Sequence, residues 1–260
     1  MLGAPAANAA VGQGSSFVAN YIEQCKADRP DLNITYLATG SGAGRNAFIN
    51  GTADFAASDI PFTDTENPSK PFKYVPLVAG GIAVIYNVPG VKELKLGKPT
   101  LQQIFAGRVQ KWSDKQIQSL NPKQTLSNKP IRVIVRSDSS GTSNVFSKYL
   151  GKATSQFPVP PNGLAAKGSD GVMTMLAASQ YGITYAEAGY AAERKLPMAN
   201  IGGAGKPTTA SVSAALKNAT VLPNNIVEIN NLSSKAYPIT TVSYLIVPQQ
   251  MSSELAEFVR

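Results

Sequence analysis

Hydrophobic spacing divides the chain into short apolar runs that alternate with amphipathic faces. Val18, Tyr21, Ile22 and Cys25 share one face of a helix that ends near Asp28-Arg29-Pro30. Residues 33–37 predict a strand, 39–44 a glycine-rich loop, 45–50 a short helix stopped by Gly51, and 53–57 a second strand with Ser58 and Asp59 at its end. A polar, proline-rich loop covers 63–71. Two apolar strands, 75–78 and 82–86, then flank the Gly80-Gly81 pair, which suggests a crossing between lobes. Helices are expected over 100–106 and 113–120, with Trp112 in the loop between them as a packing residue. The β-branched run 131–135 predicts a buried strand, and Val145, Phe146, Tyr149 and Leu150 fall at helical spacing after it. A long Pro- and Gly-rich loop spans 156–171, followed by a helix over 171–179 capped by Asp170. Residues 181–185 form a strand, 186–194 a helical piece, 237–247 a long strand, and Glu254, Leu255, Phe258 and Val259 a last helical face. Strands alternating with helices make this an α/β chain.

The polar positions that interrupt this pattern fall at repeated places. Ser15 and Ser16 stand at the first helix start, the run Gly40-Ser-Gly-Ala-Gly44 at the second, and Arg136-Ser-Asp-Ser-Ser-Gly-Thr142 at a third strand-to-helix turn. Hydroxyls and free N–H groups at the positive end of a helix suit an anion, and a guanidinium fork matches two oxygens of an oxyanion. Taken alone, the turn at 136–142 is read equally well as a helix cap in which Arg136 pairs with Asp138. Asp59 alone reads as a turn cap or as a partner of Arg45.

The 260 residues carry a net charge of +8, which favours anionic ligands, but the 24 Lys and Arg are scattered, so no nucleic-acid partner is expected. With no histidine, the usual general base and the commonest metal ligand are missing, and neither a metal nor a cofactor is expected. Cys25, the single cysteine, reads as a half-buried small hydrophobe. No apolar run is long enough for a membrane span. The dinucleotide fingerprint fails because Arg45 stands at its third glycine, and the P-loop fails because Ser169 stands at its lysine. Residues 1–10, with Ala7-Asn8-Ala9 as a cleavage site, are expected to be the tail of a secretory signal peptide.

Four pieces in order resemble the phosphate-binding proteins of bacterial phosphate ABC transporters. They are Gly12-Gln-Gly-Ser-Ser-Phe17, Gly40-Ser-Gly-Ala-Gly44, Ala57-Ser-Asp59 and the turn 136–142; the likeness runs from residue 11 to the end. It implies a two-lobed venus-flytrap fold, the type II periplasmic-binding-protein fold, with two crossovers between lobes. Lobe 1 would be 11–79 with 240–260, its C-terminal part incomplete, and lobe 2 would be 80–239. By position, Ser16, Phe17, Ser41, Asp59, Arg136, Ser140, Gly141 and Thr142 would bind inorganic phosphate, and Asp138 would support Arg136. The implied protein is a periplasmic, monomeric transport receptor, not an enzyme, that serves a membrane ABC permease. Two alternatives are a phosphate-ester hydrolase using Ser140 or Thr142 as nucleophile, and an extracellular adhesin that keeps the fold.

Overall fold

The computed structural model describes residues 9–230 and 232–260. The signal-peptide reading of residues 1–8 therefore lies outside the described residues. The first elements are β1 (Ala10–Gly14), α1 (Ala19–Asp28), β2 (Ile34–Leu37), α2 (Ser41–Ile49) and β3 (Phe55–Ser58). A long strand, β4 (Phe72–Asn87), leads to β5 (Lys95–Leu96), α3 (Lys98–Phe105) and α4 (Lys115–Gln118). Next come β6 (Arg132–Arg136), α5 (Gly141–Tyr149), β7 (Leu164–Ala166), α6 (Gly168–Ala178), β8 (Gly182–Glu187) and α7 (Ala188–Glu193). The chain continues through β9 (Asn200–Ile201), α8 (Thr209–Leu216), β10 (Thr220–Val221) and β11 (Val227–Glu228), and returns in β12 (Thr240–Pro248) and α9 (Ser253–Val259).

Eight strands form one sheet in the order β2-β1-β3-β12-β4-β8-β6-β7. β1 lies parallel between β2 and β3, and β12 is antiparallel to both β3 and β4. β4 serves two halves of the sheet: Phe72 to Gly81 pair with β12, and Ile82 to Asn87 pair with β8. The parallel β6 continues the second half to β7. The parallel strands of both halves end facing one another, and their C-terminal ends lead into the starts of α1, α2, α5 and α6. Open α/β sheets bind ligands at such an edge.

Several boundaries differ from the hydrophobic reading, β7 inside the expected loop 156–171 among them, and close packing explains some of the others. Ala10 to Gly14, read as a leader tail and an opening loop, is a strand. Its small residues are required there, since a Cβ on Gly12 would sit 2.1 Å from the Phe55 ring. Helix α2 begins at Ser41 rather than Arg45, because Gly42 is the point where the backbone passes Ser139 of the other half; a Cβ there would lie 2.2 Å from Ser139 Oγ. Gly80 and Gly81 do not break β4 into two strands. They leave room for the Phe17 ring on one side and for Pro207 on the other. Helix α6 starts at Gly168, so Asp170 lies in its first turn instead of capping it.

The main core holds Phe55, Tyr86, Trp112, Phe146, Tyr185 and Tyr237, all fully buried. Phe146 and Tyr185 stack at 4.6 Å, and Trp112 donates from Nε1 to the Tyr181 carbonyl at 3.0 Å, a packing role as expected. A second aromatic cluster of Phe48, Tyr74 and Tyr244 covers the opposite face of the first half. Cys25 is half-buried and free. Among the described residues, no helix is long and apolar enough to cross a membrane.

Candidate functional site

Ser15, Ser16, Ser41, Asp59, Arg136, Ser140 and Thr142 are all buried, although each is polar or charged. Burial of this kind costs free energy unless every group finds a partner; most find one within their own half, while Thr142 reaches Asp59 and Ser169 reaches Ser16 across the gap. Asp59, one residue past β3, accepts from four hydroxyls. Ser15 Oγ at 2.5 Å and Ser243 Oγ at 2.7 Å donate to Oδ1; Thr142 Oγ1 at 3.1 Å and Ser41 Oγ at 3.4 Å donate to Oδ2. Ser41 Oγ also lies 3.3 Å from the Asp59 N–H as its acceptor. Arg45 does not pair with Asp59. It binds Glu66 at 2.9 Å and donates to Ser58 Oγ at 2.9 Å, which braces the segment that carries Asp59.

Arg136 closes β6 and points into the same region. Its Nε and Nη2 meet the Asp138 carboxylate at 2.8 and 2.5 Å, and Nη1 donates to Ser169 Oγ at 3.4 Å. The N–H of Gly168, at the start of α6, also donates to Asp138 Oδ1 at 3.0 Å. Burial alone would raise the Asp138 carboxyl, but Arg136 and the Gly168 N–H more than offset this and hold it below the usual carboxylate range. Arg136 and Asp138 are thus a locked ion pair. One end of the guanidinium faces away from the carboxylate.

The loop 15–17 is fixed from both halves. Tyr36 donates its hydroxyl to the Ser15 carbonyl at 2.8 Å, and Tyr190 donates to the Ser16 carbonyl at 2.9 Å. Burial, with the charge of Asp59, pushes the Tyr36 hydroxyl well above its ordinary range, so it stays a neutral donor. Burial likewise pushes Tyr185 up to about 12; its hydroxyl lies 2.6 Å from Ser143 Oγ in the first turn of α5.

The structure brings every sequence-predicted site residue into this one cluster, but it gives some of them local duties. Ser140 Oγ caps α5 by accepting from the Ser143 N–H at 3.1 Å, and the Phe17 N–H donates to Ser15 Oγ at 3.1 Å. Ser16 Oγ accepts from the Ser169 N–H at 2.9 Å. Gly141 is another point where the halves approach closely, since a Cβ there would lie 2.6 Å from Ser41 Oγ. Sequence reasoning missed Ser169, Ser243 and the start of α6. Ser243 did carry a signal: it is a hydroxyl inside an otherwise apolar stretch, Leu245-Ile-Val247 following close behind.

A family model described as a PBP superfamily domain matches residues 3–260. Phosphate-binding protein PstS 2 of Mycobacterium tuberculosis is 36% identical over 259 residues, covering 89% of this chain and 69% of the relative. The chain belongs to the PstS-type phosphate-binding proteins. A second PstS-type relative, from Xylella fastidiosa, is 31% identical over 260 residues, covering 92% of this chain and 71% of its own. A solved phosphate-binding protein from Stenotrophomonas maltophilia has the same fold, with a TM-score of 0.78 at 23% identity over 94% of this chain and 79% of that one. A putative phosphate ABC transporter substrate-binding protein from Clostridium perfringens, solved with bound phosphate, gives a TM-score of 0.71 at 20% identity, covering 97% and 91%. The fold is the two-lobed, type II fold of these PstS-type neighbours. Proteins of this type are transport receptors rather than a family of enzymes, and they are periplasmic or extracellular.

Proposed function

We propose that this chain binds inorganic phosphate between its two lobes and delivers it to a membrane ABC permease. In this reading one lobe comprises residues 11–79 with 240–260, the other 80–239, and the chain bends at Gly80-Gly81 and near Pro238. The ligand would meet the helix starts at Ser16-Phe17, Ser41 and Ser140-Gly141-Thr142, the free end of the Arg136 guanidinium, and Asp59. Helix-start N–H groups and hydroxyls give a donor-rich cup suited to a small tetrahedral oxyanion.

The observation that carries the reading is Asp59, a buried carboxylate at the centre of an anion-binding cluster. Arg136 is already neutralised by Asp138, so Asp59 leaves the cluster with a negative charge. A carboxylate facing a dianion is repulsive unless a proton lies between them. Phosphate near neutral pH still carries one, which Asp59 accepts; sulfate has none to give. Two facing acceptors in a desolvated site carry a penalty large enough to decide specificity. Titration calorimetry on protein stripped of bound anion tests this. The parent should bind phosphate with one-to-one stoichiometry and hold it against excess sulfate, and Asp59→Asn, which supplies an amide donor, should narrow the difference. Equal affinity of the parent for the two anions would remove Asp59 from this role.

A further inference from the structure

The four hydroxyl donors to Asp59 are not equivalent. Those on Oδ1, Ser15 at 2.5 Å and Ser243 at 2.7 Å, are short; those on Oδ2, Thr142 at 3.1 Å and Ser41 at 3.4 Å, are long. Ser15 and Ser243 belong to the same half of the sheet as Asp59, so their bonds do not depend on the approach of the other half. Each is at most 1% exposed. A carboxylate oxygen offers two lone pairs, and two short O–H donors occupy both on Oδ1. Oδ2, held only by the two longer bonds from Thr142 and Ser41, is the oxygen that can exchange a donor for one that enters between the halves.

Ser243 occupies a place where the strand would otherwise carry an apolar side chain. Val242, Tyr244 and Ile246 pack into the aromatic cluster on one face of β12, while Leu245 and Val247 enter the main core on the other. Alternation puts Ser243 on the face of Leu245 and Val247. A buried hydroxyl there is unfavourable without a partner, and its partner is Asp59. A β-bulge falls at the same point. The pairing of β12 with β4 passes from Ser243↔Val78 to Tyr244↔Pro76, so Leu77 is skipped. Pro76 has no N–H to give the ladder, which is why proline within a sheet is confined to edges and bulges, and bulges beside sites re-aim side chains.

We propose that Ser243, acting with Ser15, is a specificity-determining positioning residue. By saturating Oδ1, the pair holds the Asp59 carboxylate turned so that Oδ2 is the oxygen it presents to a protonated oxyanion. This rests on the reading of Asp59 as acceptor of a ligand proton. Without the Ser243 hydroxyl the carboxylate is free to turn about its Cβ–Cγ bond, and Oδ2 is no longer the one oxygen presented to the ligand.

The test is competition calorimetry with phosphate and sulfate on the parent, Ser243→Ala, Ser243→Thr and Ser15→Ala, with thermal melts of each. The phosphate-to-sulfate affinity ratio should fall about tenfold or more in Ser243→Ala, the effect of one hydrogen bond to a charged group, and should recover in Ser243→Thr, which keeps the hydroxyl. A merely structural serine would weaken both anions alike and leave the ratio unchanged, and that result overturns the inference. If Ser243→Ala does not fold, Ser15→Ala reads the same oxygen from a loop, and an unchanged ratio there is equally decisive. A parent that fails to discriminate between the anions overturns the Asp59 reading itself, an outcome visible before any variant is made.

Discussion

Arg136 shows how much a single residue can tell in a sequence. A guanidinium in a Ser- and Gly-rich turn suggests a fork for an oxyanion or a pair with Asp138, and the pair is present: Asp138 takes the Nε and Nη2 edge, and Ser169 touches Nη1. What remains for the ligand is the Nη1–Nη2 end, held rigid by the ion pair. A charge-assisted contact of this kind is worth ~2–4 kcal/mol when partly desolvated, so Arg136→Ala should weaken phosphate binding at least about thirtyfold in calorimetry. Arg136→Lys should recover only part of that, because an ammonium has no planar end. The residues 136–142 were readable because they are contiguous, and one turn of chain states its own chemistry. Ser243 was not, because it is 184 positions from Asp59. Only the sheet order, which inserts β12 beside β3, brings the two together, and hydrophobic periodicity carries no information about strand order.

At the scale of elements, the helix starts do the work, and two of them give direct tests. Most strands and helices were legible from periodicity, but their N-terminal boundaries were not. Glycine there reads as a loop, whereas at Gly42 and Gly141 it marks backbone packed against the other half. Gly141 has no left-handed backbone requirement, so Gly141→Ala should leave α5 intact or slightly favoured. Its Cβ, however, would meet Ser41 Oγ at 2.6 Å and Asp59 Cβ at 2.8 Å. The expected outcome is an unchanged or higher Tm in a thermal melt together with phosphate affinity reduced about tenfold or more, since forcing atoms into a packed contact costs ~1–3 kcal/mol. Glu187 caps α7 by accepting from the Gly189 N–H at 3.2 Å, but its Oε2 is buried without a hydrogen-bond partner. Burial, aided by the charges of Glu193 and Asp59, pushes this carboxyl up to about 7 from an ordinary value of 4.5. The folded state therefore keeps a proton that the unfolded chain releases between those two values. Stability from this group is fully present below 4.5 and is lost as pH rises through about 7. Melting curves should show Tm falling across that window, and Glu187→Gln should flatten the fall.

For the whole molecule, the contacts between halves define what closure consists of. The Gly42 N–H donates to the Ser139 carbonyl at 3.0 Å, Ser169 meets Ser16, Thr142 meets Asp59, and Asn20 donates to Glu193 at 2.8 Å. A ligand that touches both halves favours this arrangement by its differential affinity for it. Small-angle scattering should accordingly give a smaller radius of gyration with saturating phosphate than for protein stripped of anion. An identical profile in the two conditions would argue against lobe movement.

The place of β12 has a consequence for how the chain is made. It lies between β3 and β4, and so pairs residues 56–58 and 72–81 with a strand that begins at Thr240. During synthesis the first strands emerge early but stay an open sheet edge until that late strand arrives. At ~5–20 residues per second the wait is roughly 10–40 s. The stretch from β4 to β8 waits less, because β8 is complete at Glu187, well before β12 begins at Thr240. The growing chain should therefore gain its second half first and carry an unpaired edge of β3, the kind of edge to which other chains add. No nascent chain shorter than residue 243 can hold phosphate in the manner proposed, since it lacks one of the hydroxyls that aim Asp59.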